Sequence, residues 1–206
     1  MEQKLLLTTA YLGPIDYYRQ ILSCNHLTIE QNDHYTKQTY RNRCRIATGN
    51  QLLDLTIPVI RPKEKCPTKE IQISYQENWR TIHWRAIESA YNSTPFFEYY
   101  KDDFEVVFQK KYNYLIDFNM DLLEVTLRLL KIKTEIEKST EYISKEDVHW
   151  LDMRDGFHPK RVSTAYIKPY YQVFDQKFGF QPNLSIIDLL FNMGPESLLV
   201  LQKCKK

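Results

Sequence analysis

The chain has 206 residues, of which 43% are hydrophobic and 14% aromatic, enough to bury a core without metal or disulfide staples. Its 28 Lys and Arg against 26 Asp and Glu leave a net charge of +2, which argues against a general affinity for the phosphate backbone of nucleic acids. Five glycines leave little room for a glycine-rich phosphate loop, and no apolar run reaches the ~20 residues that cross a bilayer.

The apolar run at the N terminus is too short for a signal peptide. Leu5 to Thr9 reads as a strand that ends at Tyr11-Leu12-Gly13-Pro14, and proline at the first helical position predicts a helix from Pro14 to about Cys24. His26 to Glu30 is the next strand. A strand-helix-strand unit of this length favours a parallel pair with a right-handed crossover. Cys24, Cys44, Cys66 and Cys204 are far apart and form no Cys-x-x-Cys pair, which fits reduced thiols in a cytoplasmic protein.

Arg43 to Thr48 and Leu52 to Val59, separated by Gly49-Asn50-Gln51, predict a hairpin. Glu70 to Ser74 reads as a further strand. The period then becomes helical, with three stripes: Trp79, Ile82, Ala86 and Ala90; Phe96, Tyr100, Phe104 and Val107; and Leu115, Phe118, Leu122, Val125, Leu129 and Ile132. Glu124 and Arg128 stand at pairing distance on the last of these helices. Lys133 to Lys168 is polar and reads as irregular, and a final helix is predicted over Ser185 to Asn192, with Pro195 ending or restarting it. The pattern as a whole is α/β, one domain over residues 1–206. A mixed sheet, with an N-terminal βαβ unit and a hairpin, packs against a helical layer; α+β is the alternative.

The most distinctive chemistry lies in Lys37 to Ile46. Read as an extended segment, Arg41, Arg43 and Arg45 share one face roughly 7 Å apart, a good grip on phosphate or carboxylate. Lys37 adds charge at the edge, and Asn42 points to the opposite face, where it either contributes to binding or holds the strand. The alternative for the arginines is a solvated edge strand protected from unwanted pairing. A second candidate anion site is the loop after the first strand, where Gly13 turns the chain and Thr8, Thr9, Tyr11, Glu30 and Asp33 converge at the carboxyl ends of the strands. Simple capping of the helix is the competing account.

His83, one turn after Trp79, is a candidate general base or a hydrogen-bonded core residue. His26, His34, His83, His149 and His158 show no ligand spacing for zinc. His158-Pro159-Lys160-Arg161 is a candidate phosphate contact or a solvated loop. Asp188 and Asn192, four apart in an apolar run, need partners if buried. A nearby arginine would suit Asp188, and the pair either orients a catalytic base or fastens the C terminus to the arginine strand.

Several blocks together resemble the WbqC-like protein family: Tyr11-Leu12-Gly13-Pro14-Ile15-Asp16-Tyr17-Tyr18, Tyr40-Arg41-Asn42-Arg43, Leu55-Thr56-Ile57-Pro58-Val59, the His83-bearing helix, Pro95-Phe96-Phe97-Glu98-Tyr99-Tyr100, and Phe180 to Pro195. The resemblance runs over nearly the whole chain. Longer members carry a glycine-bearing segment before the C-terminal block, where this chain has only the stretch from Glu137 to Lys168.

The resemblance implies a part in bacterial surface-polysaccharide (O-antigen-type) biosynthesis. The leading expectation is a transferase-type enzyme that modifies an activated sugar or transfers a group to it. His83 would be its proton carrier; Tyr11, Lys37, Arg41, Asn42, Arg43 and Arg45 would bind the anionic substrate, such as a nucleotide sugar; Asp188 and Asn192 would support the site. The alternative is a non-catalytic binding or assembly protein of the same pathway that recognises an acidic ligand or partner. No cofactor, metal, nucleic acid or membrane span is implied, and the sequence fixes neither the reaction nor the oligomeric state.

Overall fold

Leu5, Leu6 and Leu7 offer no polar face, and all three are buried in a sheet covered on both sides. The computed structural model describes residues 4–204. Strand β1 (Lys4–Thr8), helix α1 (Ile15–Leu22) and strand β2 (His26–Glu30) form the expected unit, with β1 and β2 parallel and Leu5 opposite Leu27. Strands β3 (Arg43–Ala47) and β4 (Leu52–Thr56) pair antiparallel as a separate hairpin. Three long helices follow, α2 (Trp79–Tyr91), α3 (Phe97–Gln109) and α4 (Leu115–Leu130). The chain continues through β5 (Glu135–Lys138), β6 (Trp150–Asp152), α5 (Asp175–Phe178), α6 (Ile186–Met193) and α7 (Ser197–Lys203).

The four-stranded sheet has the order β5-β2-β1-β6, all parallel, so parallel and antiparallel pairing occur in two distinct sheets of one α/β architecture. The stretch from Lys133 to Lys168 is therefore not irregular throughout, since it supplies both edge strands. Each is only three or four residues long, and Ile136 is the sole apolar residue of β5, so neither carries a readable alternation. Conversely, Glu70 to Ser74 is not a strand of a sheet. Its backbone is shared between single bridges to Val59 and Tyr114, after a 3-10 turn over Thr68–Glu70.

The helical stripes turn slightly from their expected registers. On α2 the buried side is Trp79, His83, Ile87, Ala90 and Tyr91, while Ile82 is exposed. On α3 the buried set is Phe97, Phe104, Val107 and Phe108; on α4, Thr126 and Leu130 lie deeper than Val125 and Leu129. Arg128 pairs with Asp103 of α3 at 2.6 Å, so its charge ties two helices and is not spent on Glu124. Helix α6, polar only at Asp188 and Asn192, is buried from Ile186 to Asn192 and packs against α1, α2, α3 and α7. Gly194, at φ +51°, makes the sharp turn into α7, and Pro195 opens the 3-10 turn that restarts the helix.

Candidate functional site at the carboxyl edge of the sheet

The chain leaves β1 toward β2 on one side and returns on the other side as β6, so the strand order switches beside β1. Crevices outside the carboxyl ends of strands at such a switch are where parallel sheets take ligands. An open cleft of about 570 Å³ lies there, lined by Asn32, Asp33, His34, Thr36, Arg41, Tyr142, Lys145, Arg154 and Asp155. These residues come from the loops that follow β2, β5 and β6, and from the turn before β3. A larger groove of about 750 Å³ runs between α3 and α4, but its cations Lys110 and Arg128, paired with Asp121 and Asp103, are both exposed, whereas the cleft has two buried guanidiniums on its wall.

The three arginines of the sequence run separate. Arg41 belongs to the turn before β3, outside the strand, so it does not share a face with the other two. The residue is 5% exposed and pairs with Asp33, whose other oxygen accepts from Thr68 Oγ1 at 2.6 Å. Arg41 Nε is buried without a hydrogen-bond partner. Arg43 and Arg45 do share a face of the hairpin, where both turn to Asp54 on the opposite strand. Arg45 grips Asp54 bidentately at 2.7 and 3.1 Å, while Arg43 lies 3.6 Å from it and donates to Thr56 Oγ1. Neither lines the cleft.

The second buried guanidinium of the cleft is Arg154, which a reading of arginine runs misses. It is 3% exposed, forks onto Asp152 and donates to the Ile143 carbonyl at 2.9 Å. Burial works against the Asp152 charge, but the Arg154 hydrogen bonds outweigh it and hold that carboxyl below its usual range. Arg154 also lies 3.5 Å from Glu30, which is fully buried at the end of β2. Glu30 accepts from Asn32 N, Ser139 Oγ and Ile143 N at 2.7 to 2.8 Å. One carboxylate thus ties the segment carrying Tyr142, Lys145 and Arg154 to β2. Asp152-Met153-Arg154 held a weak signal for this, an acid two residues before an arginine that it can grip.

The other expected site residues lie elsewhere. Lys37 is on the exposed turn beside cleft-lining Thr36. Asn42 is buried and donates to the Ile57 carbonyl at 2.9 Å, holding the hairpin. Tyr11 is buried and its hydroxyl meets His83 Nδ1 at 2.9 Å. His83 also packs edge-on against Trp79, and burial, opposed by a hydrogen bond to the Thr56 backbone, pulls its pKa down to about 4. Asp188 finds no arginine. It accepts from Tyr91 and Tyr170 hydroxyls at 3.0 and 2.5 Å and from Gln172, and burial pushes its pKa up. Asn192 caps the Val173 amide at 3.1 Å, so this pair fastens residues 170–173 and not the arginine turn.

The amides at the start of α1 are also taken. Ile15 N donates to the Leu184 carbonyl and Asp16 N to Asn183 Oδ1 at 2.9 Å. The turn before this helix has its positive φ at Leu12, while Gly13 is needed for close approach. A Cβ there would stand 3.1 Å from Ala10 Cβ. Among the described residues no group of three or more His, Cys, Asp or Glu is arranged to hold a metal ion, and no helix is long and apolar enough to cross a membrane.

The neutral ring of His83 gives a pH-dependent contribution. Between pH 6.5 and about 4 the unfolded chain takes up a proton that the folded state refuses, so stability falls as pH drops through that window. His83→Gln, which retains an acceptor and a donor, is expected to flatten this part of the curve. Urea unfolding of both proteins from pH 4.5 to 7 checks it, and parallel curves would refute it.

The blocks that stand out in the sequence meet in space. Tyr11 N donates to the Tyr40 carbonyl, Ser185 N to the Arg45 carbonyl, Ile186 N to the Gly13 carbonyl, Phe96 N to the Phe191 carbonyl, and Asn119 Nδ2 to the Arg41 carbonyl. Their first task is to lock the hairpin, α1 and α6 together. The uncharacterized protein Rv1507c of Mycobacterium tuberculosis is 26% identical over 232 aligned positions that span all of both chains. No solved structure matches the chain. The WbqC-like protein family matches residues 9–163 and 140–200, two parts that overlap in the segment bearing Arg154, and the chain belongs to that family.

Proposed function

We propose that the chain is an enzyme of bacterial surface-polysaccharide (O-antigen-type) biosynthesis that modifies an activated sugar or transfers a group to it. The carboxyl-edge cleft holds the anionic part of that sugar. The observation that carries this reading is the convergence of Arg41, Lys145 and Arg154, cations from three different loops, on one open cleft. Guanidinium and ammonium groups gathered in this way suit a phosphate or carboxylate oxygen. Lys145 adds a mobile charge at the rim, and Asn32, Asp33 and Asp155 offer acceptors for sugar hydroxyls. Membership of the WbqC-like family supports the polysaccharide setting. The four cysteines, all unpaired, fit a reducing cytoplasm.

In this reading Arg41 fixes the anion, Lys145 closes over it, and Arg154 keeps the wall in position. His83 is sealed in the aromatic core and takes no part. Nucleotide sugars at about a hundred times their Kd are expected to stabilise the protein by about 2.7 kcal/mol, a Tm rise of roughly 5–10 °C. Lys145→Ala, an exposed side chain whose loss spares the fold, is expected to weaken that binding about tenfold. If no nucleotide sugar raises the Tm of the wild-type protein, the reading fails. A partner protein that co-purifies under the same conditions then favours an assembly role.

A further inference from the structure

Asp155 stands on the rim of the cleft with the Lys145 ammonium against its carboxylate. Arg161 Nη1 donates to the Asp155 backbone carbonyl at 3.2 Å, which fixes the loop at that point. Lys145 first, and Arg41 more weakly, hold the Asp155 carboxyl below its usual range, with burial opposing them. The protein's own carboxylate thus touches one cation of the cleft and lies in the field of another. Both members of the Lys145–Asp155 pair are well exposed, at 62% and 71%, so the pair is easily opened.

We propose that Asp155 is an internal stand-in for the ligand's anionic group, so that the cleft selects a doubly charged phosphate or pyrophosphate group over a monoanionic carboxylate. The proposal rests on the reading of the cleft as an anion site and names the class of anion. A ligand carboxylate would only exchange one single charge for another at Lys145, while being repelled by the displaced Asp155. A terminal phosphoryl group brings nearly twice the charge and three acceptor oxygens, and the pyrophosphate of a nucleotide sugar brings two charges on adjacent phosphoryls, enough to take Lys145 from Asp155 and still engage Arg41. A uronate-type sugar is therefore rejected, and a sugar phosphate or diphosphate is accepted.

The opposite sign is expected if the pair only fastens the loop, because loosening the rim would then weaken binding. Calorimetric titration with inorganic pyrophosphate and with acetate, at pH 8 and fixed ionic strength, separates the two. The wild-type protein should bind pyrophosphate and not acetate. Asp155→Asn should bind pyrophosphate about fivefold tighter and gain acetate binding, and Asp155→Ala should do the same. Unchanged or weaker pyrophosphate binding by both variants, with wild-type binding intact, overturns the proposal while leaving the anion cleft standing. If neither the wild type nor either variant binds pyrophosphate, the anion cleft itself falls.

Discussion

Glu30→Ala is expected to destabilise the protein by about 4 kcal/mol, with a Tm loss of roughly 10 °C. The carboxylate is fully buried, and three donors point at it: Asn32 N, Ser139 Oγ and Ile143 N. Alanine leaves those donors without an acceptor and leaves the Arg154 guanidinium, 3.5 Å away, with less compensation in a dry site. The damage should be local as well as global. Hydrogen exchange should rise first between residues 139 and 155, the wall of the cleft, and anion binding should weaken before the fold is lost. Glu137→Ala provides the contrast, since that exposed carboxylate accepts from a single donor among the described residues, Thr28 Oγ1; its expected effect is under about 1 kcal/mol. A Glu30→Ala protein within about 1 kcal/mol of wild type in urea would refute the account.

Gly194→Ala should destabilise by about 3–4 kcal/mol, from two sources of similar size. At φ +51° and ψ −125° the residue occupies backbone space that a side chain resists. A Cβ built there would also stand 2.4 Å from Phe96 Cδ1, 2.5 Å from Cγ and 2.6 Å from Cε1. The ring cannot easily yield, because Phe96 N is bonded to the Phe191 carbonyl and the ring lies among Tyr99 and Tyr100. A double-mutant cycle with Phe96→Ala divides the two sources. The double variant should be more stable than the sum of the single effects by about 1–2 kcal/mol, which is the overlap relieved, while the backbone part persists. Additive effects would mean that the ring does move.

The same contrast between local and distant contacts explains what could be read in advance. Pro14 and the apolar runs on either side of it mark β1, α1 and β2 within a residue or two, because turn chemistry and periodicity are written locally. The hairpin is equally legible from Gly49-Asn50-Gln51. Strands β5 and β6 are not, since a three- or four-residue edge strand exists only by virtue of the strand that it joins. Ile82 looks inward by spacing, but α2 turns so that His83 and Ile87 meet the core instead.

The arginine turn shows the limit most clearly. Lys37 to Ile46 stands out as a cluster of cations, but the assumption of an unbroken strand places Arg41 with Arg43 and Arg45. Its real companions are Asp33, on the loop after β2, and Lys145 and Arg154, more than a hundred residues further on. Asp54 engages both strand arginines from the other arm of the hairpin, a pairing set by register that the charge pattern alone could not fix.

The strand order has a consequence for how the chain assembles. Strands β1 and β2 come from the first thirty residues, yet Lys4 must pair with Trp150 and His26 with Glu135. The central pair can form while the rest of the chain is still unstructured, but its two flanks stay open until the segment beyond α4 has been made and brought back. Closing so long a loop for so few hydrogen bonds is slow. The cleft can therefore form only after the segment beyond α4 has been made, and until then β1 and β2 have no strand to pair with on their outer edges.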